Sequence, residues 1–280
     1  MVLVTGATGI LGRVIVLELL KNGKTVFAAK RTSSNLDEVR KSFRYYTDNA
    51  ETFFNKIHWI DLDLDDPKNI DQNIKGIEDI YHCAAKVSYD PADAEIINHI
   101  NTEGTKKILK AAVKAGIKRF LHVSSAAVFR NQEDSFINEI SKYIDCKKAT
   151  LYAISKYKAE IEVIKARAEG LNTIIINPGM IIGSGNWENS SNQLLTRFIE
   201  SFYTFSGGSG CIDVRDVAKI AVLLMDRNTV GGQFILVSEN KKFEEISKII
   251  RNKINKSKAL ILTKRILQIS CFLNLFLGKI

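Results

Sequence analysis

Proline is scarce in this 280-residue chain, with 3, and cysteine is nearly so, with 4. So little proline excludes a polyproline or low-complexity chain. Cys83, Cys146, Cys211 and Cys271 lie far apart and form no C-x-x-C pair. That excludes a thiolate zinc site and a secreted disulfide framework, and points to a reducing, cytoplasmic setting. The histidines His58, His82, His99 and His122 show neither H-x-x-x-H nor H-E-x-x-H spacing, so no metal is expected. His82 and His122 stand in apolar runs and read as packed core residues. No uncharged apolar run reaches the roughly 18 residues that cross a bilayer. The longest, residues 266–278, is expected to be a helix packed on the protein, with a weak membrane-surface contact as the alternative. The apolar start MVLVTGATGILG lacks a basic leader and breaks into glycines, so it reads as folded structure and not as a signal peptide.

The formal charge of +9 raises the question of an anionic partner. The basic residues are spread along the chain, with no binding module and no aromatic-interleaved basic cluster, so no nucleic acid is expected. A hydrophobic share of 45% and a charged share of 25% indicate a folded domain of enzyme size.

Short β-branched runs alternate with helix-period segments. MVLVTG precedes 10–22, TVFAAK precedes 35–49, KIHWIDLDL precedes 67–74, IEDIYHCAA precedes 93–115, IKRFLHVSS precedes 149–169, and LNTIIINPG follows. This rhythm specifies an α/β fold, a doubly wound parallel sheet of the Rossmann kind with both faces covered. Past residue 177 it loosens into GSGNWENSSN and SGGSG around a helix at 191–203. A strand, GQFILVS, and a helix at 243–253 follow. The expected organisation is a dinucleotide-binding core over 1–176 and a smaller C-terminal substrate lobe over 177–280, interleaved with the last core strand.

Gly6, Gly9 and Gly12 of VTGATGILG fall where the first strand turns into the first helix. Glycines there let the backbone approach a diphosphate that the helix N-terminus attracts. The next discriminator is the end of the second strand, where an acid would bind a ribose hydroxyl and a cation a 2′-phosphate. The strand ends Lys30-Arg31-Thr32, with no acid, which favours NADP, with NAD as the alternative.

YIDCKKATLYAISK holds Tyr-x-x-x-Lys twice, as Tyr143 with Lys147 and as Tyr152 with Lys156. About one such pair arises by chance at this composition, so spacing alone does not choose. After Tyr152, however, Ile154, Ile161, Ile164 and Ala168 keep a helical period, which puts Tyr152 and Lys156 on one face a turn apart. Tyr143 lies in a mixed stretch that reads as a connection.

Taken in order, GATGILG, DLDD (63–66), HCAAKV, NTEGT (101–105), VSSAAVF and YAISKYKAE resemble the motifs of the extended short-chain dehydrogenases/reductases, the NAD-dependent epimerase/dehydratase family. The resemblance implies a cofactor-binding set of Gly6, Thr8, Gly9, Ile10, Leu11 and Gly12 at the diphosphate, with Arg31 at the 2′-phosphate. Asp63 and Leu64 would line the adenine pocket, and Ala84 and Ala85 would lie beneath the nicotinamide ribose. Tyr152 would be the catalytic acid/base and Lys156 its partner, also bonding that ribose. The neighbouring ammonium and the nicotinamide charge would bring the phenol nearer to working pH.

Ser124 and Ser125 both compete to bind the substrate oxygen, and the resemblance selects Ser125. Asn101 joins the set as a structural or water-holding residue. Asn177 and Pro178 of NPGMIIGSG resemble the segment of dihydroflavonol-reductase-like and 3β-hydroxysteroid-dehydrogenase-like members, whereas the sugar-nucleotide epimerases more often carry Arg at Asn177. Asp213, Arg215 and Asp216 are expected as charges bridging the lobes, and Trp187, Arg197 and Phe205 as pocket-lining candidates. The implied activity is interconversion of a small-molecule carbonyl and an alcohol. The alternatives are an epimerase or dehydratase acting with held NAD, and a non-catalytic dinucleotide-binding regulator. Similar proteins commonly form homodimers through core helices.

Overall fold

A computed structural model of the protein describes residues 1–130, 136–185, 187, 190–227 and 231–263. In chain order the core elements begin β1 (Val2–Thr5), α1 (Ile10–Lys21), β2 (Val26–Lys30), α2 (Leu36–Phe43), α3 (Ala50–Phe54), β3 (His58–Asp61), α4 (Pro67–Asn73) and β4 (Asp79–His82). They continue with α5 (Ala94–Asn98), α6 (Gly104–Ala115), β5 (Arg119–Val123), α7 (Leu151–Ala168) and β6 (Asn172–Pro178). Beyond these come β7 (Met180–Ile182), α8 (Ser190–Glu200), β8 (Tyr203–Phe205), β9 (Gly208–Asp213), α9 (Val214–Asp226), β10 (Gln233–Leu236), β11 (Glu239–Lys242), α10 (Phe243–Lys253) and β12 (Leu260–Leu262).

Seven parallel strands form one sheet in the order β10-β6-β5-β4-β1-β2-β3. The order reverses between β1 and β4, so the crevice at their carboxyl ends is where a doubly wound sheet binds ligands. Alternate strand residues feed the two faces. Tyr81, Leu121, Ile174 and Ile176 join α1 and α9 on one side, while Ile80, Phe120 and Ile175 join α4, α6 and α7 on the other. Both faces being buried is why these strands read as continuous apolar runs.

Two expected helices are broken. The 35–49 segment stops at Phe43, because Thr47, Asp48 and Asn49 favour a turn: the Thr47 hydroxyl accepts from Asn49 N at 3.3 Å, and α3 starts afresh at Ala50. The 93–115 segment carries a π-helical turn, His99–Glu103, between α5 and α6. A widened turn re-aims the side chains within it.

Beyond β6, β11-β9-β7 and β12-β8 make two small sheets. Leu195, Phe198, Cys211 and Ile246 form the lobe's own core beneath them. The expected 191–203 helix ends at Glu200, and β8 takes the next residues. Leu260–Leu262 pair with β8, whereas the apolar 266–278 segment and Cys271 lie outside the described residues. Among the described residues, no helix is long and apolar enough to cross a membrane.

Candidate active site

The glycine loop between β1 and α1 leaves room for a ligand backbone. Gly6 has φ +64°, and a Cβ there would lie 2.7 Å from Ala84 N at the exit of β4. A Cβ on Gly12 would collide with the Gly6 carbonyl, so neither site accepts a side chain. Gly9 caps α1 without a side-chain bond, leaving the helix N-terminus to an incoming anion. Ile10 and Leu11 turn their side chains into the core and Thr8 is half-buried, so the loop presents main chain. This cradle fits a dinucleotide diphosphate.

Arg13 is fully buried behind the loop. Its guanidinium donates to Thr8 O and to Gly9 O (3.2 Å) and forks onto Glu38 at 2.6 and 2.7 Å. At the end of β2, Lys30 is committed to Asp61 at 2.6 Å, while Arg31 is exposed. Asp63 is exposed and its carboxylate accepts from Asp65 N at 2.8 Å; Leu64 lies beside Gly104. Ala84 and Ala85 follow β4, with Ala84 N donating to the Thr5 hydroxyl at 3.3 Å.

Thr150 caps α7, its hydroxyl accepting from Ala153 N at 3.2 Å, and this places Tyr152 and Lys156 in the first turns of the helix. Lys156 is 2% exposed and donates to Val123 O at 2.6 Å. Burial lowers its ammonium to about 8, against a rise from the Glu160 carboxylate. Ser125 stands beside the Tyr152 phenol, an influence that favours the phenolate. Burial outweighs it and holds the phenol well above its ordinary value. The Lys156 ammonium is turned onto the β5 carbonyl and is not among the groups that act on the phenol. Ser124 is buried, its hydroxyl without a hydrogen-bond partner. Tyr143 stacks on Phe129, with ring centroids 5.7 Å apart, and bonds Gln233 at 3.3 Å, while Lys147 is exposed; the two make no couple.

Asn101 is fully buried in the π turn. It accepts from Lys86 N at 2.7 Å and donates to Lys86 O and to the Ser155 hydroxyl, both at 2.9 Å, pinning the loop after β4 to α7. Asn177 donates to Ser125 O at 3.1 Å and to Glu160 at 2.6 Å. Pro178 ends β6 in a buried position. Both asparagines therefore spend these bonds on the protein.

Phe205 is partly buried and packs on Phe198 with centroids 6.4 Å apart, while Trp187 and Arg197 are exposed. Asp213 caps α9 and holds Arg215 at 2.6 Å, so these charges pair with each other at one helix end and do not bridge the lobes.

Residues 2–237 match the NAD dependent epimerase/dehydratase family. The chain belongs to that family. It is an NAD(P)-dependent reductase or dehydrogenase of the extended short-chain type. A Synechocystis protein provisionally named dihydroflavonol 4-reductase is 31% identical over 258 residues, covering 87% of this chain and 69% of that one. Sterol demethylase protein B of Methylococcus capsulatus is 29% identical over 247 residues, 85% of this chain and 70% of the other. Among solved structures, gox2253 superposes with a TM-score of 0.84 at 24% identity, over 100% of this chain and 82% of that one. The dTDP-glucose 4,6-dehydratase DesIV of Streptomyces venezuelae, with NAD and TYD bound, gives 0.79 at 18% identity, over 94% and 84%. At these identities the two structures speak for the fold.

Within this family member, sequence reasoning missed four residues. Arg13, next to the third glycine, reads as one more helix-surface cation until Glu38 is brought to it. Glu160 lies inside the quoted YAISKYKAE motif but carried no role. Tyr89 is 68% exposed and sets its ring edge-on to Tyr152 at 6.2 Å; nothing local signals it. Tyr46 ties α2 to the lobe, its hydroxyl donating to Ser184 O at 2.6 Å and accepting from Ser184 N at 2.8 Å.

Proposed function

We propose that the protein is an NADP-dependent oxidoreductase that interconverts a small-molecule carbonyl and an alcohol, with Tyr152 as acid/base. The observation carrying this reading is the placement of Ser125, Tyr152 and the buried Lys156 together at the carboxyl edge of the sheet, beside the Gly6–Ala84 cradle. A bound nicotinamide dinucleotide supplies or takes up the hydride. Ser125 donates to the substrate oxygen and Tyr152 gives it a proton, which suits a phenol that burial keeps protonated at neutral pH. Lys156 holds the nicotinamide ribose. Gly6, Thr8, Gly9, Ile10, Leu11 and Gly12 hold the diphosphate through main-chain groups, Asp63 and Leu64 the adenine side, and Ala84 and Ala85 the ribose floor. Arg31, exposed at a strand end without an acid, takes the 2′-phosphate. Asn101, Asn177 and Pro178 support these groups from behind.

The test is net NADPH oxidation by the purified chain against a panel of ketones and aldehydes, with Tyr152→Phe as control. Carbonyl-dependent oxidation lost in the variant is expected. Redox-neutral conversion of UDP-glucose or dTDP-glucose would overturn it in favour of an epimerase or dehydratase, and tight NADPH binding with neither turnover would leave a non-catalytic dinucleotide-binding protein.

A further inference from the structure

Behind the Tyr152–Lys156 face, one helical turn further along α7, stands a second ionisable group with no role in the reaction as drawn. Glu160 is fully buried. Every group that reaches its carboxyl is a hydrogen-bond donor. Asn177 Nδ2 of β6 gives to one oxygen at 2.6 Å and Gln233 Nε2 of β10 to the other at 3.0 Å. The Ser124 hydroxyl, just past β5, is buried without a hydrogen-bond partner, and the Tyr143 phenol, from the connection before α7, donates to Gln233 Oε1 at 3.3 Å and so orients that amide. Burial pushes this carboxyl up, and the two amide donors oppose that rise, because a carboxylate accepts from both whereas a neutral acid would set its own O–H against one of them.

The same Asn177 amide also donates to Ser125 O at 3.1 Å, so one side chain couples the carboxylate to the backbone of the serine beside Tyr152. We propose that Glu160 is a positioning residue: an ionised carboxylate, held by amide donors from β6 and β10, that keeps the Lys156 ammonium charged and anchors the Ser125 segment to the catalytic helix. The inference rests on the reading of Tyr152 and Lys156 given above. An uncompensated ammonium at this depth would lose its proton to relieve the burial cost, and a fixed anion one turn away offsets that cost. The groups acting on Lys156 are His82 on β4, Cys83 just past it, His122 on β5 and, on its own helix, Glu160. Both imidazoles are held neutral by burial and the Cys83 thiol is pushed up to about 12, which leaves Glu160 as the anion among these groups at neutral pH.

The test needs no turnover. Protein carrying isotope-labelled lysine is titrated by NMR from about pH 6 to about pH 11, with the Lys156 resonance assigned by its loss in Lys156→Arg. In Glu160→Gln, the Lys156 midpoint is expected to fall by about one pH unit, and in Glu160→Asp to stay within a few tenths of wild type. An unchanged midpoint in Glu160→Gln overturns the proposal. Should that variant fail to fold, Gln233→Leu removes one donor, destabilises the carboxylate and is expected to move the midpoint down by a smaller amount; no movement there overturns it equally. The pH at which NADPH affinity weakens should follow the same shift. Failure of the functional reading is seen separately, as carbonyl reduction that survives in Tyr152→Phe.

Discussion

Tyr152 and Lys156 sit a turn apart on α7, and burial drives them in opposite senses: the phenol rises and the ammonium falls to about 8. Each is pushed toward its neutral form. A neutral phenol is the acid that reduction needs, so Tyr152→Phe is expected to lower kcat by about 10²–10⁴-fold while NADPH binding, followed by fluorescence, survives. Lys156 makes a second prediction, on stability. Its folded value of about 8 lies below the ordinary 10.5, so between those limits the unfolded chain binds more protons than the native one. Stability relative to Lys156→Met should therefore rise with pH across that window. The gain should be on the order of 3 kcal/mol by its upper end, measured by urea unfolding of both proteins at about pH 8 and about pH 10.5. A flat difference would show that Lys156 keeps its proton throughout.

Among the elements, the start of α1 shows how a local motif acquires a second layer of support. Glycines shape the loop, but Arg13 grips its carbonyls from inside and Glu38 of α2 holds Arg13. Arg13→Met would take the guanidinium away from two loop carbonyls and from Glu38, and about 2–3 kcal/mol of stability should go with it. Weakened NADPH binding should accompany the loss, read by fluorescence titration beside thermal melts. A variant that binds NADPH as wild type does would show that the glycine turn holds itself. The π turn between α5 and α6 is a comparable device: the extra residue swings Asn101 inward, where its amide ties the loop after β4 to Ser155. The 93–115 periodicity predicts a helix there, but a single misaligned turn leaves no mark on an apolar pattern.

At the scale of the whole molecule, the core and the lobe have separate apolar centres, two large clusters on the faces of the seven-stranded sheet and a small one around Phe198. Phe198 is fully buried and packs against Phe243 with ring centroids 5.9 Å apart. Phe198→Ala should therefore cost about 3 kcal/mol and act locally. Hydrogen exchange is expected to speed up in α8, β9 and α10 while β1, β4 and β5 stay protected, with substrate KM raised more than NADPH affinity is lost. Uniform loss of protection would mean that lobe and core unfold as one.

The parallel strands, the glycine turn and the Tyr152–Lys156 spacing were legible because each depends on residues near in sequence: alternation, a strand-to-helix turn, one helical period. What the linear order leaves open is what folding brings from afar. Only the tertiary structure buried Ser124, set Ser125 beside Tyr152, turned Lys156 onto Val123, paired Arg13 with Glu38 and gathered Asn177 and Gln233 around Glu160. Those outcomes are decided by desolvation and hydrogen bonding between residues up to 73 positions apart, and no local pattern of apolar and polar residues encodes them.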